Sequence, residues 1–144
     1  MRQLMEIAED ARRVKHAVAA LGTNDKNRGL LAIADALLAH ADEIIAANQI
    51  DIENGRASGL NEGLIDRLTL DSKRIAGIAE GCRQVAALPD PIGEVLWMRK
   101  TPNGLNIGEK RVPMGVIGII YEARPNVTVD AAALCFKAAT GELP

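Results

Sequence analysis

The sequence has few aromatic residues and no long hydrophobic run, and each shortage excludes a class of protein. Its only aromatic residues are Trp97, Tyr121 and Phe136, too few to build a platform on which nucleic-acid bases stack. Lys and Arg number 17 against 19 Asp and Glu, so no basic excess attracts nucleic acid or a membrane surface. The longest apolar run, residues 112–121, is far shorter than the roughly 20 residues that cross a bilayer. We therefore predict neither a nucleic-acid partner nor a membrane partner.

Cysteine and histidine are scarce as well. Cys82 and Cys135 cannot form a disulfide framework or a four-ligand zinc site. Both lie on apolar faces of predicted helices, which favours buried, inert thiols over a nucleophile. His16 and His40 lie on separate predicted helices, so no metal site is predicted. The N-terminal segment places acidic residues within its apolar pattern, which is not typical of a secretory signal. These features predict a cytoplasmic protein.

Proline and β-branched residues are concentrated in the second part of the chain. No proline precedes Pro89, whereas all six occur from that point on, and the earlier part is rich in alanine. Alanine favours helix and β-branched residues favour strand. Apolar residues spaced by three and four predict helices, with Thr23 and Asp71 as N-caps. Gly55, Gly59 and Gly63 are expected to loosen the segment that follows the third helix. The predicted helices span residues 2–21, 23–39, 42–57 and 71–88.

A β-hairpin is predicted after the boundary formed by residues 89–93. Its strands are residues 94–101 and 105–112, and Thr101-Pro102-Asn103-Gly104 lies between them. Proline suits the first central position of a type I turn, and glycine supplies the positive φ of the bulge that follows. Charged residues occur on both strands, so one face or edge of the hairpin is expected to meet water.

Residues 116–121 are apolar on both alternating faces, which is typical of a central strand in a parallel sheet. A loop over residues 122–126 follows, then a helix to Lys137 capped by Asn126 or Thr128, with Gly141 as its C-cap. A parallel strand needs a mate reached through a crossover, and none is predicted after the helix. We expect either an N-terminal part of an α/β protein, cut after its first crossover helix, or a sheet completed by another chain.

The segment from Arg111 to Asp130 resembles the signature of the γ-glutamyl phosphate reductases, a family of the aldehyde dehydrogenase superfamily. Its Tyr-Glu-x-Arg-Pro-Asn loop spans Tyr121 to Asn126, and the upstream Ala47-Asn48, 59–68 and 90–93 agree with the family. The resemblance covers essentially residues 1–137 and implies an incomplete α/β fold. It comprises a helical part (1–90), an oligomerisation-type hairpin (91–112), and the first strand and helix of a Rossmann-like dinucleotide-binding domain (113–144).

The resemblance implies a reaction, the reduction of L-glutamyl 5-phosphate by NADPH to L-glutamate 5-semialdehyde and phosphate in proline biosynthesis. The family transfers the acyl group to a cysteine thiolate and then delivers hydride. That cysteine lies beyond the matching residues, so the chain alone is expected to be inactive. The alternatives are a non-catalytic helical and hairpin interaction module, or a truncated product without independent activity.

The resemblance also assigns roles to the hairpin and to the loop. Superfamily hairpins pair with another subunit, so Trp97 and Met98 are expected at a homo-oligomer interface, the alternative being packing on their own domain. The loop follows a parallel strand, where ligands of α/β sheets bind.

Asn126 is a candidate oxyanion donor or a helix cap, although the superfamily's loop asparagine aligns with Arg124. Arg124 is expected to face a phosphate or to pair with Glu122. Ile120 and Tyr121 line the cofactor groove or pack in the core, and Glu122 and Arg124 complete the predicted cofactor set.

Overall fold

The structure is a computed structural model that describes residues 4–122, 124–139 and 141–143. The predicted helix start at Arg2, the loop residue Ala123 and the final Pro144 lie outside these residues. Within the described residues the chain forms six helices and four strands: α1 (Leu4–Ala19), α2 (Thr23–Ala39), α3 (Ala41–Ala57), α4 (Glu62–Leu68), α5 (Ser72–Ala87), β1 (Val95–Lys100), β2 (Asn106–Lys110), β3 (Val116–Gly118), α6 (Pro125–Lys137) and β4 (Gly141–Leu143).

Helices α2, α5 and α6 pack against one another around the main core. Small side chains dominate this core, so the helix backbones approach closely and leave little void. The predicted N-cap of α5 is confirmed, since the Asp71 carboxylate accepts the Arg74 backbone N–H at 2.6 Å. The predicted apolar face that carries Cys82 is buried, and Ile75 on the same helix is buried as well. The core residues are Leu30, Ala34, Ala79, Cys82, Ala86 and Ala133.

Helix α1 forms as predicted, and its apolar stripe is only partly buried. It contacts β3 and β4. Ala11 is buried, but Leu4 and Val14 of the same stripe are 69% and 49% exposed. Apolar spacing indicates which face of a helix is hydrophobic, but it does not indicate how much surface the neighbouring element covers.

Two helix starts differ from the prediction. Gly22 is the N-cap of α2, and Thr23 is already helical, its hydroxyl donating to the Asp90 carboxylate at 2.8 Å. Helix α4 was not predicted, because three glycines were expected to loosen this segment. The Asn61 side chain caps it by accepting the Leu64 N–H at 3.0 Å, so one polar cap outweighs the nearby glycines.

The predicted hairpin is confirmed. Strands β1 and β2 pair antiparallel, the Thr101 N–H donates to the Leu105 carbonyl at 2.8 Å, and Gly104 has the expected positive φ of 90°. All side chains of both strands are exposed. The ribbon therefore buries neither face against the described part of the chain.

The strand predicted over residues 116–121 is shorter in the structure and has a partner. Strand β3 pairs in parallel with β4. The predictions that no second strand follows and that Gly141 caps the helix are therefore wrong. Helix α6 ends at Lys137 with Ala138 as C-cap, and Ala139 takes a φ of 50° before β4 begins. A three-residue strand is too short to show a periodicity of its own.

A buried charge network ties three helices to the segment that precedes the hairpin. Lys26 is 1% exposed and Lys137 is 4% exposed. The Lys26 ammonium pairs with the Asp90 carboxylate and donates to the Lys137 carbonyl at 3.2 Å. The Lys137 ammonium donates to the Asn27 side-chain oxygen at 2.6 Å and to the Ala86 carbonyl at 2.9 Å. These bonds join α2, α5 and α6.

Candidate active-site cleft

An open cleft of about 480 Å³ lies between the α4–α5 segment and the first turn of α6. This volume is ordinary for a small-molecule site. The loop that enters α6 follows β3, so one wall of the cleft lies at the carboxyl end of a parallel strand, where ligands of α/β sheets bind. The lining residues are Asp66, Arg67, Thr69, Leu70, Arg74, Gly77, Ile78, Arg124, Pro125, Asn126 and Asp130.

The α6 wall is set by Pro125. Proline has its φ fixed near the helical value and lacks an N–H, so it suits the first helical position. Arg124 consequently becomes the N-cap, and the prediction that Asn126 or Thr128 caps the helix is wrong. The Asn126 side-chain N–H instead donates to the Asp130 carboxylate at 2.9 Å. The Thr128 hydroxyl is hydrogen-bonded to the Tyr121 hydroxyl.

The three arginines of the cleft differ in their partners. The Arg74 guanidinium is engaged by the Asp66 carboxylate and the Thr69 carbonyl, both at 2.7 Å, and by the Asp66 carbonyl. Arg67 and Arg124 are exposed. Neither of their side chains makes an ion pair or hydrogen bond with the described residues, so the alternative in which Arg124 pairs with Glu122 is not formed. The cleft is therefore lined by two arginines whose guanidinium groups form no ion pair with the described residues.

The α4 wall is held by Asn48, whose side chain is buried on α3. Its amide N–H donates to the Leu68 carbonyl at 2.9 Å, and its amide oxygen accepts the Leu70 N–H at 2.7 Å. This pair of bonds fixes the backbone turn between α4 and α5. A sequence signal for it existed, because Asn48 lies between Ile45 and Ile52 at helical spacing, and a polar group on an apolar face requires partners.

The remaining predicted site residues lie outside this cleft. Glu122 lines a second cleft of about 510 Å³, together with Asp51 and Ser58 of the α3 end. Ile120 is fully exposed and Tyr121 is partly exposed, so neither packs as a core residue. The loop thus separates two clefts, with Arg124 and Asn126 facing one and Glu122 facing the other.

Arg67, Arg74 and Asp130 are site residues that the sequence alone does not predict. Arg67 lies in a segment that resembles the reductases, but its position cannot be inferred without helix α4. Arg74 was predicted inside a helix with no partner to suggest its role. Asp130 lies on α6, and the direction in which its side chain points depends on where the helix begins. The helix begins at Pro125.

Both cysteines are buried, as predicted. Cys82 lies in the core between α5 and its neighbours. Burial first, and then the negative charge of Asp130, raises the pKa of the Cys82 thiol, although Arg83 acts in the opposite direction. A thiol with a raised pKa is a poor nucleophile at neutral pH. Among the helices that the structure describes, none has the length and apolarity needed to cross a bilayer.

No family model matches the chain, but individual proteins resemble it closely. The chain is 54% identical over 138 residues to the γ-glutamyl phosphate reductase of Carboxydothermus hydrogenoformans, covering 96% of this chain and 33% of that protein. It is 56% identical over 134 residues to the γ-glutamyl phosphate reductase of Clostridium novyi, covering 93% of this chain and 32% of that protein.

Solved structures give the same result. The crystal structure of γ-glutamyl phosphate reductase from Thermotoga maritima matches with a TM-score of 0.95 at 40% identity, over 98% of this chain and 34% of that one. The reductase from Saccharomyces cerevisiae matches with a TM-score of 0.88 at 31% identity, over 99% of this chain and 36% of that one. The predicted aldehyde dehydrogenase-like fold, present in part, is confirmed. The chain spans about a third of these relatives, is homologous to the γ-glutamyl phosphate reductases, and corresponds to an N-terminal portion of them.

Proposed function

We propose that these residues form part of an oxidoreductase that reduces L-glutamyl 5-phosphate with NADPH to L-glutamate 5-semialdehyde and phosphate, a step of proline biosynthesis. Relatives with 54% identity over nearly the entire chain carry the reductase name. The observation that carries the proposal is a cleft, at the end of a parallel strand, lined by two arginines that form no ion pair with the described residues. Such a cleft suits a phosphorylated ligand, because a guanidinium matches phosphate oxygens in charge and geometry.

Two residues of the cleft have direct roles in this proposal. Arg124 binds the phosphate group and stabilises the negative charge that this group carries away when it leaves. Asn126 donates to the carbonyl oxygen, which becomes negative when the acyl phosphate is attacked. A side-chain amide has two N–H groups. One donates to Asp130 at 2.9 Å and orients the amide, so the other is left for the substrate.

The residues proposed to bind the cofactor lie on the other side of the loop from this cleft. A dehydrogenase of this kind uses a nicotinamide cofactor, which supplies hydride, and we assign NADPH to that role. Ile120 presents an apolar side chain to solvent and provides a surface for a planar ring. Tyr121 is fixed beside it by the bond to Thr128. Glu122, in the second cleft, accepts hydrogen bonds from ribose hydroxyls.

The nucleophile of the reaction is not assigned to these residues. Cys82 and Cys135 are both buried in helices, and neither lines the cleft. We therefore propose that the 144 residues by themselves do not complete the reaction. A cytoplasmic location is part of the same proposal, because a reducing compartment preserves cysteines that form no disulfide within the described residues.

Titration with NADPH tests the cofactor assignment. Replacing Ile120 with aspartate is expected to weaken NADPH binding about tenfold, because the change removes an apolar contact with the ring and adds a negative charge beside an anionic cofactor. Ile50→Asp is the matched control, since Ile50 is 61% exposed on α3. Binding is followed through the fluorescence of NADPH. Equal affinity of the Ile120 variant would contradict the assignment, and no NADPH binding by any form would favour the non-catalytic interaction module.

The hairpin supports a second part of the proposal, that the chain forms a homo-oligomer. Its exposed edges carry unpaired backbone groups, which are templates for pairing with another chain. The Trp97 indole N–H donates to the Glu109 carboxylate at 2.9 Å, and the Arg99 guanidinium lies 5.7 Å from the ring centre. Trp97 is therefore held in one orientation. The exposed apolar side chains of the ribbon are Val95, Leu96, Trp97, Met98 and Ile107.

Gly108→Val is expected to abolish this association. A Cβ at position 108 would lie 2.7 Å from the Trp97 carbonyl oxygen, so the β1–β2 pairing cannot persist unchanged. The mass in solution, measured by sedimentation equilibrium, is expected to fall to that of one chain. Gly81→Ala serves as the control, because nothing lies within 4 Å of a Cβ built there. A monomeric wild-type chain, or an oligomeric Gly108→Val chain, would contradict the assignment of the interface to the hairpin.

A further inference from the structure

We propose that Arg67 is a second substrate-binding residue and that the cleft holds an acidic α-amino acid derivative by both of its anionic groups. This inference rests on the proposed function. It adds α4 as the wall of the site that lies opposite the start of α6. Arg67 lies in the last turn of α4, whereas Arg124 lies at the start of α6. The two guanidinium groups therefore reach one cleft of about 480 Å³ from different elements.

The charges of the cleft support a ligand of this class. Asp66 is paired with Arg74, so these two charges compensate one another within the wall. The charges that remain are those of Arg67, Arg124 and Asp130. Two cationic groups and one carboxylate complement a ligand that carries a carboxylate, a phosphate and an ammonium group. Glutamyl 5-phosphate has these three groups, whereas inorganic phosphate and simple dicarboxylates lack at least one.

The backbone on both sides of Arg67 is fixed, so this arginine is presented by a rigid wall. The carbonyl of Asp66 accepts from the Arg74 guanidinium, and the carbonyl of Leu68 accepts from Asn48 at 2.9 Å. Carbonyls at a helix C-terminus have no partner within the helix. Here they are bound by side chains from α5 and α3. The last turn of α4 is therefore held in place, and only the Arg67 side chain adjusts to a ligand.

Arg67 also differs from several other arginines of the chain. Arg28, Arg74, Arg83 and Arg111 each form an ion pair with a carboxylate. Arg67 forms none with the described residues, although acidic side chains line the same cleft. A guanidinium that is left unpaired beside carboxylates, on a backbone fixed from two sides, is placed for an external anion. The ligand's second anionic group supplies that partner.

Calorimetric titration of the 144-residue chain tests this inference. The probe is the non-hydrolysable phosphonate analogue of L-glutamyl 5-phosphate, with inorganic phosphate and L-glutamate titrated in parallel. The analogue is expected to bind more tightly than either fragment. Arg67→Gln and Arg124→Gln are each expected to weaken it about tenfold or more, because each removes a charge-assisted contact. Arg67→Lys is expected to recover part of the loss.

Arg56→Gln is the matched control, since Arg56 lies near the end of α3 and outside the cleft lining. Wild-type affinity of Arg67→Gln for the analogue would overturn the inference, and so would a failure of the wild-type chain to bind it. Far-ultraviolet circular dichroism establishes that each variant is folded. If NADPH binds as proposed while Arg67→Gln has no effect, the Arg67 assignment alone is wrong. If neither ligand binds, the proposed function itself fails.

Discussion

Asp90→Asn is expected to lower the free energy of unfolding by about 3–5 kcal/mol, which is the usual cost of removing one partner from a buried ion pair. Asparagine keeps the shape of the side chain but removes its charge. Lys26 and Lys137 would then be two buried ammonium groups without a counter-charge. The loss is a large fraction of the 5–15 kcal/mol that stabilises an ordinary domain.

The pKa values in this network predict how stability depends on pH. Burial alone would raise the pKa of Asp90, but hydrogen bonds from Lys26, Ile92 and Thr23, with the Lys26 charge, lower it. A carboxyl whose pKa is lowered on folding stabilises the protein above its ordinary value of 3.8. Between this ordinary value and the lower folded pKa, the unfolded chain binds a proton that the folded chain does not. The contribution of Asp90 to stability is therefore lost as the pH falls through this window.

Lys137 gives a dependence of the same sign in an alkaline window. Burial lowers its pKa, the Lys26 charge adds to this, and Asp90 partly offsets it. The unfolded chain therefore holds a proton that the folded chain has already lost, between the folded pKa and the ordinary value of 10.5. Stability due to this group rises with pH across that window.

Urea denaturation followed by circular dichroism measures the Asp90 effect. Asp51→Asn is the control, because Asp51 is an exposed carboxylate on α3, and its replacement is expected to change stability by less than about 0.5 kcal/mol. The difference between wild type and Asp90→Asn should shrink below about pH 4. A loss smaller than about 1 kcal/mol at neutral pH, with an unchanged denaturant slope, would contradict the described network.

Local signals predicted most of the secondary structure. The apolar spacing of α2 and α5 and the turn at residues 101–104 each lie within a few neighbouring residues, so the sequence alone is sufficient. Helix α4 was missed because nearby glycines obscure its Asn61 cap. In addition, the groups that bind its last carbonyls, Asn48 and Arg74, come from other helices. Strand β4 was missed because three residues carry no pattern, and its pairing with β3 depends on the crossover through α6.

The candidate site was predicted in part for the same reason. Arg124 and Asn126 were identified because they follow a strand in one continuous segment. Their separation from Glu122 depends on the direction in which Pro125 starts α6, and single residues do not specify that direction. Arg67 faces the cleft from a distant part of the sequence. A site built from two separate segments becomes visible only after the helices have packed.

The second large effect concerns turnover. The chain alone is expected to be slower than a complete reductase by roughly 10⁴ to 10⁶, the usual cost of a missing nucleophile. Its cysteines are buried, and the raised pKa of Cys82 leaves little thiolate at neutral pH. Residues 1–137 joined to the remaining part of the Thermotoga maritima reductase are expected to be active. In that fusion, Arg124→Gln is expected to lower activity and Arg56→Gln to leave it unchanged.

The most direct measurement is the rate at which NADPH forms from L-glutamate 5-semialdehyde, NADP and phosphate, recorded for the chain alone and for the fusion in one experiment. We expect no detectable turnover from the chain and clear turnover from the folded fusion. Turnover by the chain alone near that of the intact Thermotoga maritima reductase would contradict the account, as would a folded fusion that remains inactive.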